Sequence, residues 1–220
     1  MKHLHVVLAT ALLLLMGLMA GAAVRRQSIT VDEVAHLGAG VSYVQKLDLR
    51  MNQEHPALPK VLAALPLAIR GVHADYSDTS WNFSGSVFGN MLGEWVWGHE
   101  VALQWNDPYS TLLWARMPML VLTLVLGGLV CRYATQLGGP WGGLLCLAAY
   151  VSTPAFIVFG PLVLTDIPVT LFVLLACGVS RNCGARLRDQ TSWCSGFALP
   201  ARCFPNIPLG CFFSAPWRFG

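Results

Sequence analysis

Four stretches of apolar residues divide the chain and predict its architecture. They are Leu4–Val24 and the ranges 112–131, 141–159 and 162–177. The first contains 21 residues without a charge, and about 20 helical residues at 1.5 Å each cross about 30 Å of hydrocarbon. The pattern therefore predicts an all-α integral membrane protein, with a first transmembrane helix in residues 1–24 and three more in 112–177.

The first stretch also has two features of a cleaved secretory signal. Lys2 precedes it, and the small residues Ala20, Gly21 and Ala22 lie near its end. The run is longer than a usual signal core, which favours a retained span. Both interpretations export the segment that follows.

Residues 25–111 are predicted to form an external loop with interfacial helices. Thr30 and Glu33 are spaced as a capping box, which predicts a helix from Val31. Helical spacing predicts two faces on this helix. One is an apolar stripe of Val34, Leu37, Val41 and Val44, and the other is partly polar, with Asp32, His36, Gly40 and Tyr43. A second apolar run, Ala57–Ile69, has only 13 residues. It is too short to cross and is predicted to lie along the membrane interface.

The orientation of this loop follows less directly from its charges. Its basic residues favour the cytoplasmic side, but the rule holds for loops shorter than about 60 residues, and this loop is longer. We expect the loop outside. Whichever side of the membrane the loop occupies, four spans place it on the same side as the turn at 160–166. Four carboxylates can then meet there: Asp32, Glu33, Glu54 and Asp166.

Composition supports a membrane location. Apolar residues make up 55% of the chain, charged residues 11%, and the mean hydropathy is +0.56; an ordinary soluble domain has roughly 25% charged residues. Nothing in the sequence suggests nucleic-acid binding, a phosphate-cradling glycine loop or a nucleophilic triad. Cysteines within the apolar stretches act as small apolar residues by default.

Each candidate residue also has a structural interpretation. Glu33 can serve as a cap alone, Asp32 as a charge at a helix N-terminus, and His36 as a packing residue. Glu54 and His55 can form a polar turn before Pro56. Asp166 lies in an apolar stretch, where an ionised carboxylate costs about 2.5 to 3.5 kcal/mol; alternatively it lies in water, beside a helix cap at Thr165. The tryptophans of the loop, Trp81, Trp95, Trp97 and Trp105, suit sugar stacking or an interfacial belt.

Four motifs in order carry a resemblance to a known family. They are Asp32-Glu33-x-x-His36 with Gly40 and Tyr43; Asp48-x-x-x-Asn52-x-Glu54-His55-Pro56-x-Leu58-x-Lys60; Trp114-Ala115-Arg116-x-Pro118; and Leu164-Thr165-Asp166-x-Pro168. Together they resemble family 39 glycosyltransferases, the protein O-mannosyltransferase-like branch of the GT-C superfamily. The match covers about residues 5–177, the N-terminal part of such a multi-spanning bundle.

The resemblance implies a membrane enzyme that moves a sugar from a polyprenyl phosphate to a protein or lipid acceptor on the external face. It implies Asp32 and Glu33 as catalytic residues, with Asp32 as general base on the acceptor hydroxyl. Seven residues are implied in substrate binding: His36, Asn52, Glu54, His55, Lys60, Arg116 and Asp166. Lys60, Arg116 and Arg70 are the candidates for the lipid phosphate, and snorkelling side chains are the alternative. We expect the bacterial plasma membrane as the location, in several passes.

No cofactor is firmly implied, although a divalent metal is compatible with the motifs. No spacing of the His-Glu-x-x-His type predicts a metal site.

Residues 178–220 depart from the family. They hold five arginines, one aspartate and four cysteines, whose spacings of 11, 9 and 8 residues match no zinc signature. We expect this tail to be a frameshifted or foreign continuation of a truncated gene, and the fragment to be weakly active or inactive. The alternatives are a small metal or disulfide tail and, for the whole chain, a non-catalytic membrane fragment or accessory subunit.

Overall fold

All regular structure in the described part of the chain is helical. The computed structural model describes the backbone of residues 2–83 and 89–194, and within them the surroundings of side chains 4–82 and 93–180. Its elements are α1 (Lys2–Val24), α2 (Val31–Lys46), α3 (Ala57–Ile69), α4 (Thr79–Phe83), α5 (Gly89–His99), a π-helical segment (Glu100–Gln104), α6 (Pro108–Ser152), α7 (Pro154–Val158) and α8 (Asp166–Cys194). The chain divides into two compact units, residues 1–178 and 179–220, and the packing described below is that of the first.

Two helices within the described ranges are long and apolar enough to cross a membrane, α1 and α6. Large apolar side chains of α1 point outward, with Leu14 64% and Leu18 74% exposed. Such exposure suits side chains that meet lipid instead of water. The predicted all-helical class is confirmed, and the apolar stretches yield two candidate spans.

Helix α6 bends back on itself at two glycines. Gly138 and Gly139 leave the helical conformation, and Gly139 has φ 72°, a value that glycine adopts at no steric cost. Beyond this break, the Tyr150 hydroxyl donates to the Thr123 carbonyl at 2.9 Å. A Cβ on Gly127 would lie 2.9 Å from the Tyr150 ring, so glycine allows the two arms, 108–137 and 140–152, to pack closely. The predicted connection between the second and third stretches is therefore a sharp reversal.

The third and fourth stretches are less regular than predicted. Helix geometry ends at Ser152 and resumes in the short α7, and residues 162–165 form a turn before α8 begins at Asp166. The end of α7 lies near the end of α1, since the Gln27 side chain donates to the Val158 carbonyl at 3.3 Å. The backbone of α8 continues past the predicted end of the stretch at residue 177. The predicted foreign tail lies outside the described residues from 195 onward.

Helices α2 to α5 and the π-helical segment form a second layer, here called the head, where α1 ends and α6 begins. Its centre is α2, which packs on α3 and α5. Glycines bring these helices together: a Cβ on Gly38 would lie 2.6 Å from the Gly98 Cα, and a Cβ on Gly40 would overlap the Lys60 carbonyl oxygen. The prediction of one apolar and one partly polar face on α2 does not correspond to a buried and an exposed face, because every residue from Glu33 to Tyr43 is buried.

Tryptophans form much of the core of the head. Trp97 is fully buried, and its ring centroid lies 5.1 Å from that of Trp81 and 6.1 Å from that of Trp105. The Trp97 indole N–H donates to the Asp75 carbonyl at 3.0 Å. Trp81, Trp97 and Trp105 therefore pack against each other, and Trp97 has no face open to a sugar.

Candidate functional site

Glu33 joins three separate parts of the chain at the base of the head. The capping box at the start of α2 is present, and the Glu33 Oε2 accepts from the Thr30 backbone N–H at 3.1 Å. The same carboxylate accepts from Arg116 of α6 through both oxygens, at 2.8 and 2.6 Å. Its Oε1 also accepts from the Val163 backbone N–H at 3.0 Å. Glu33 is fully buried, and its lone pairs are occupied.

Arg116 is equally saturated. Besides the two bonds to Glu33, it donates to three carbonyl oxygens at the end of α1: Val24 at 3.2 Å, Gln27 at 3.0 Å and Ser28 at 2.9 Å. A guanidinium has five N–H donors, so each one is used. Arg116 is 0% exposed. In this conformation it fastens the head to α1 and has no donor left for a lipid phosphate.

The charge state of Glu33 follows from these contacts. Burial alone raises the pKa of a carboxyl, but the hydrogen bond and charge of Arg116, with the backbone N–H groups of Val163 and Thr30, outweigh it. The pKa of Glu33 therefore lies below its usual value. A carboxylate that is ionised, buried and fully hydrogen-bonded is poorly suited to take up a proton, and in this structure Glu33 holds Thr30, Arg116 and Val163 together.

Asp32, the neighbour of Glu33, is in the opposite situation. It is exposed at the first turn of α2, and no described residue forms a hydrogen bond or ion pair with its carboxylate. The capping box and the Arg116 pair fix the helix turn that carries it. The Asp-Glu motif thus divides into a buried anchor and an exposed carboxylate on a rigid support.

A histidine pair lies beside Asp32. His36 is 5% exposed, and its Nδ1 lies 2.8 Å from the Val163 carbonyl oxygen; since a carbonyl only accepts, Nδ1 carries the proton and Nε2 is the free acceptor. The ring of His55 meets that of His36 edge to face at 5.1 Å. Burial is the largest influence on His36 and lowers its pKa, while the charge of Asp32 opposes this effect. His36 is therefore neutral at pH 7.

Lys60 organises the loop between α2 and α3. It is fully buried, and its ammonium donates to the carbonyls of Asn52 and, at 3.0 Å, His55. Asn52 has φ 50°, a left-handed conformation that asparagine tolerates better than most residues. Burial lowers the pKa of Lys60 to about 8. Like Arg116, Lys60 donates its hydrogen bonds to groups of the same chain.

Glu94 is a buried acid that the sequence analysis missed. It is 2% exposed on α5 and lies close enough to Asn52 for this residue to oppose the effect of burial on its pKa. Burial raises its pKa, and the nearby charge of Glu54 adds to this. Within the described residues, no partner reaches Glu94 Oε1 or Asn52 Oδ1. The one feature of the sequence that could have indicated its burial is the position of this acidic residue next to Trp95 and close to Trp97 in the same helix.

The remaining predicted residues lie at the surface of the protein. Glu54 and His55 are exposed and line an open cavity of about 480 Å³ between Tyr43 and Ala57. Asp166 is exposed at the first residue of α8, the arrangement that avoids the cost of a buried charge. Within the described ranges, no three His, Cys, Asp or Glu side chains converge as metal ligands.

The structure thus brings Asp32, Glu33, His36, His55 and the turn at Val163 together. No family model, curated protein or solved structure matches the chain.

Proposed function

We propose that the chain is a membrane glycosyltransferase of the lipid-linked sugar type, or part of one. In it, Asp32 would act as general base on an acceptor hydroxyl at the membrane surface. The observation that carries the proposal is the contrast between the two adjacent carboxylates. Glu33 accepts five hydrogen bonds, two from the backbone N–H and hydroxyl of Thr30, two from Arg116 and one from the Val163 N–H. Asp32, in contrast, is exposed and held on a fixed turn.

The geometry around Asp32 suits proton removal from a bound hydroxyl. A general base needs an open carboxylate within hydrogen-bond reach of the substrate. It also needs a rigid support, because small displacements of a catalytic group are costly. The double anchor of Glu33 supplies that support, one residue away. The neutral His36 offers Nε2 as a second acceptor nearby.

The proposed reaction is a single displacement. Asp32 takes the proton of the acceptor hydroxyl as its oxygen attacks the anomeric carbon of the sugar. The bond from that carbon to the phosphate oxygen breaks, and polyprenyl phosphate leaves with the electron pair. The configuration at the anomeric carbon is inverted, and the Asp32 proton passes to solvent.

The cavity lined by Glu54 and His55 is the proposed binding site of the acceptor. Its volume of about 480 Å³ falls in the range of small-molecule sites, roughly 300 to 1,000 Å³. His55 lines this cavity and touches His36, which in turn lies within the electrostatic reach of Asp32. We assign the finer architecture to the same proposal: a GT-C type, multi-pass bundle in a bacterial plasma membrane, with the head outside.

The test uses the full chain in lipid nanodiscs with radiolabelled polyprenyl-phosphate mannose as the probe. We expect saturable binding that polyprenyl phosphate displaces and a nucleotide sugar does not, and slow transfer to added peptide or lipid acceptors. Asp32→Asn should abolish transfer and leave binding within about twofold. The matched control is Glu100→Gln, which changes another partly exposed carboxylate of the head and should retain transfer. Absence of donor binding by the folded chain would overturn the proposal.

One observation favours a second function, that of a non-catalytic accessory subunit. Lys60 and Arg116, the cations expected at the donor phosphate, are both fully buried and hydrogen-bonded within the chain. An accessory subunit would bind neither donor nor acceptor in the same assay. Donor binding without transfer would instead indicate a transferase whose 220 residues are not sufficient for catalysis.

A further inference from the structure

Helix α3 is apolar on the side that faces away from the protein. Its inner face, with Ala63, Ala64 and Leu67, is buried against the head. Its outer face holds three residues spaced seven and four apart, which align on one stripe of a helix: Leu58, Leu65 and Ile69, exposed by 48%, 42% and 86%. An aligned apolar stripe of this kind suits a helix whose outer side meets an apolar medium.

A cation and a tryptophan lie at the end of this stripe. Arg70 follows Ile69 directly, and its guanidinium carbon lies 4.6 Å from the ring centroid of Trp114. Trp114 belongs to the second turn of α6, a candidate span, and is 38% exposed. Tryptophan and arginine concentrate at the headgroup level of bilayers. The pair is therefore of the kind expected where α3 would meet the lipid headgroups.

Next to this pair is a cavity of about 140 Å³ between the end of α3 and the start of α6. Its volume is equivalent to about five water molecules at roughly 30 Å³ each. Among its lining residues are Arg70, Asn106, Asp107, Ser110 and Trp114. It thus offers one cation, one carboxylate and neutral polar groups in a space of headgroup size.

The two charges of this cavity are not paired with each other. Within the described residues, the ion pairs are Arg50 with Asp48, His99 with Glu100, and Arg116 with Glu33. Arg70 and Asp107 therefore have no charged atoms within 4.0 Å of each other. Asp107 accepts from the Ser110 backbone N–H at 2.7 Å through Oδ2, and no described donor reaches its Oδ1. The guanidinium of Arg70 makes no hydrogen bond to a described residue.

We propose that this cavity binds the zwitterionic headgroup of a bilayer phospholipid. The phosphate pairs with Arg70 and accepts from the Ser110 hydroxyl, while the ammonium group pairs with Asp107. The acyl chains run along Leu65 and Ile69 of α3. Separate opposite charges complement a headgroup that carries both signs, whereas Asp107 repels one that carries only negative charge. The site is distinct from Asp32 and does not depend on sugar transfer.

The test measures lipids retained by the full chain after purification from nanodiscs containing phosphatidylethanolamine and phosphatidylglycerol in equal amounts. Native mass spectrometry should show one retained phosphatidylethanolamine in preference to phosphatidylglycerol. Arg70→Gln should lower its retention about tenfold or more, as expected for loss of a charge-assisted hydrogen bond. Arg25→Gln, which removes an exposed arginine outside the cavity lining, should retain it fully.

Asp107→Asn is the sharper variant because asparagine caps a helix as well as aspartate does. It should remain folded, lose the preference for phosphatidylethanolamine and retain phosphatidylglycerol at least equally. Equal retention of both lipids by the wild-type chain, or an unchanged preference in Asp107→Asn, would overturn the proposal. Displacement of the lipid by millimolar inorganic phosphate, or by polyprenyl phosphate at equal amount, would also overturn it, since either result assigns the cavity to another phosphate compound.

Discussion

Glu33 and Arg116, which lie 83 residues apart, form a bidentate ion pair with no exposure to solvent. Each partner also holds backbone groups: Glu33 accepts from Thr30 and Val163, and Arg116 donates to the end of α1. A buried pair of this kind is costly to break, because the remaining charge stays in a medium that cannot solvate it.

Loss of either partner should therefore destabilise the protein strongly. Arg116→Met and Glu33→Gln should each lower the free energy of unfolding by about 3 to 5 kcal/mol, measured by denaturant titration in detergent. The double variant should lose less than the sum of the two, because neither charge is then left alone. Arg50→Met, which breaks the exposed pair with Asp48, should cost less than about 1 kcal/mol. Strictly additive losses would contradict the coupling.

Acid should weaken the same connection. The pKa of Glu33 is lower in the folded chain than the usual 4.5 of a glutamate, because Arg116 and two backbone N–H groups outweigh the effect of burial. Its contribution to stability is therefore complete above about pH 4.5 and is lost as the pH falls through the folded value. We expect wild-type stability to fall more steeply in this range than that of Glu33→Gln. Parallel pH profiles of the two proteins would show that Glu33 is not the titrating group.

The contact between α2 and α5 predicts a steric effect at one glycine. A Cβ at Gly38 would lie 2.6 Å from the Gly98 backbone, a distance that real structures essentially never show. Gly38→Ala should separate the helices and lower the free energy of unfolding by about 1 to 3 kcal/mol. Gly128→Ala, at a helical glycine with nothing within 4 Å, should be neutral or stabilising by about 0.5 to 1 kcal/mol. A thermal unfolding midpoint that is equal for both variants would refute the close approach.

Glu94 should respond to pH in the opposite sense to Glu33. Burial raises its pKa above the usual 4.5 of a glutamate in the folded chain. The folded state therefore binds this proton more tightly than the unfolded state, so the contribution of Glu94 to stability is greatest below about pH 4.5 and declines as the pH rises through the folded value. Glu94→Gln should remove this decline and stabilise the chain at pH 7. The measurement is unfolding temperature against pH for both proteins; a destabilised glutamine variant at pH 7 would mean that the ionised form is needed.

Local features of the fold could be predicted from the sequence. The capping box of Thr30 and Glu33 and the bounds Ala57–Ile69 of α3 are confirmed. Both depend on neighbours within one or two helical turns, which fix the available backbone hydrogen bonds. The break near Gly138 was equally local, because glycine pairs followed by proline seldom remain helical.

Long-range partners could not be predicted in the same way. The pattern offered Arg116 as a phosphate ligand and Glu33 as a cap or catalyst, and nothing in their spacing indicated that they pair with each other. Tertiary packing likewise buried Trp97, Lys60 and Glu94 inside the head. Their roles depend on how α2, α3 and α5 meet, and periodicity within one helix carries no information on that. The catalytic role of Asp32 stays a prediction.

The bond between Glu33 and Arg116 also sets an order for biosynthesis. Glu33 leaves the ribosome 83 residues before its partner, and at about 5 to 20 residues per second this delay is roughly 4 to 17 s. Until then the carboxylate has to stay hydrated, and the end of α1 lacks the arginine that binds its carbonyls. We expect α1 and α2 to remain unconnected to each other until α6 is inserted, because only then does Arg116 bind Glu33 and the end of α1.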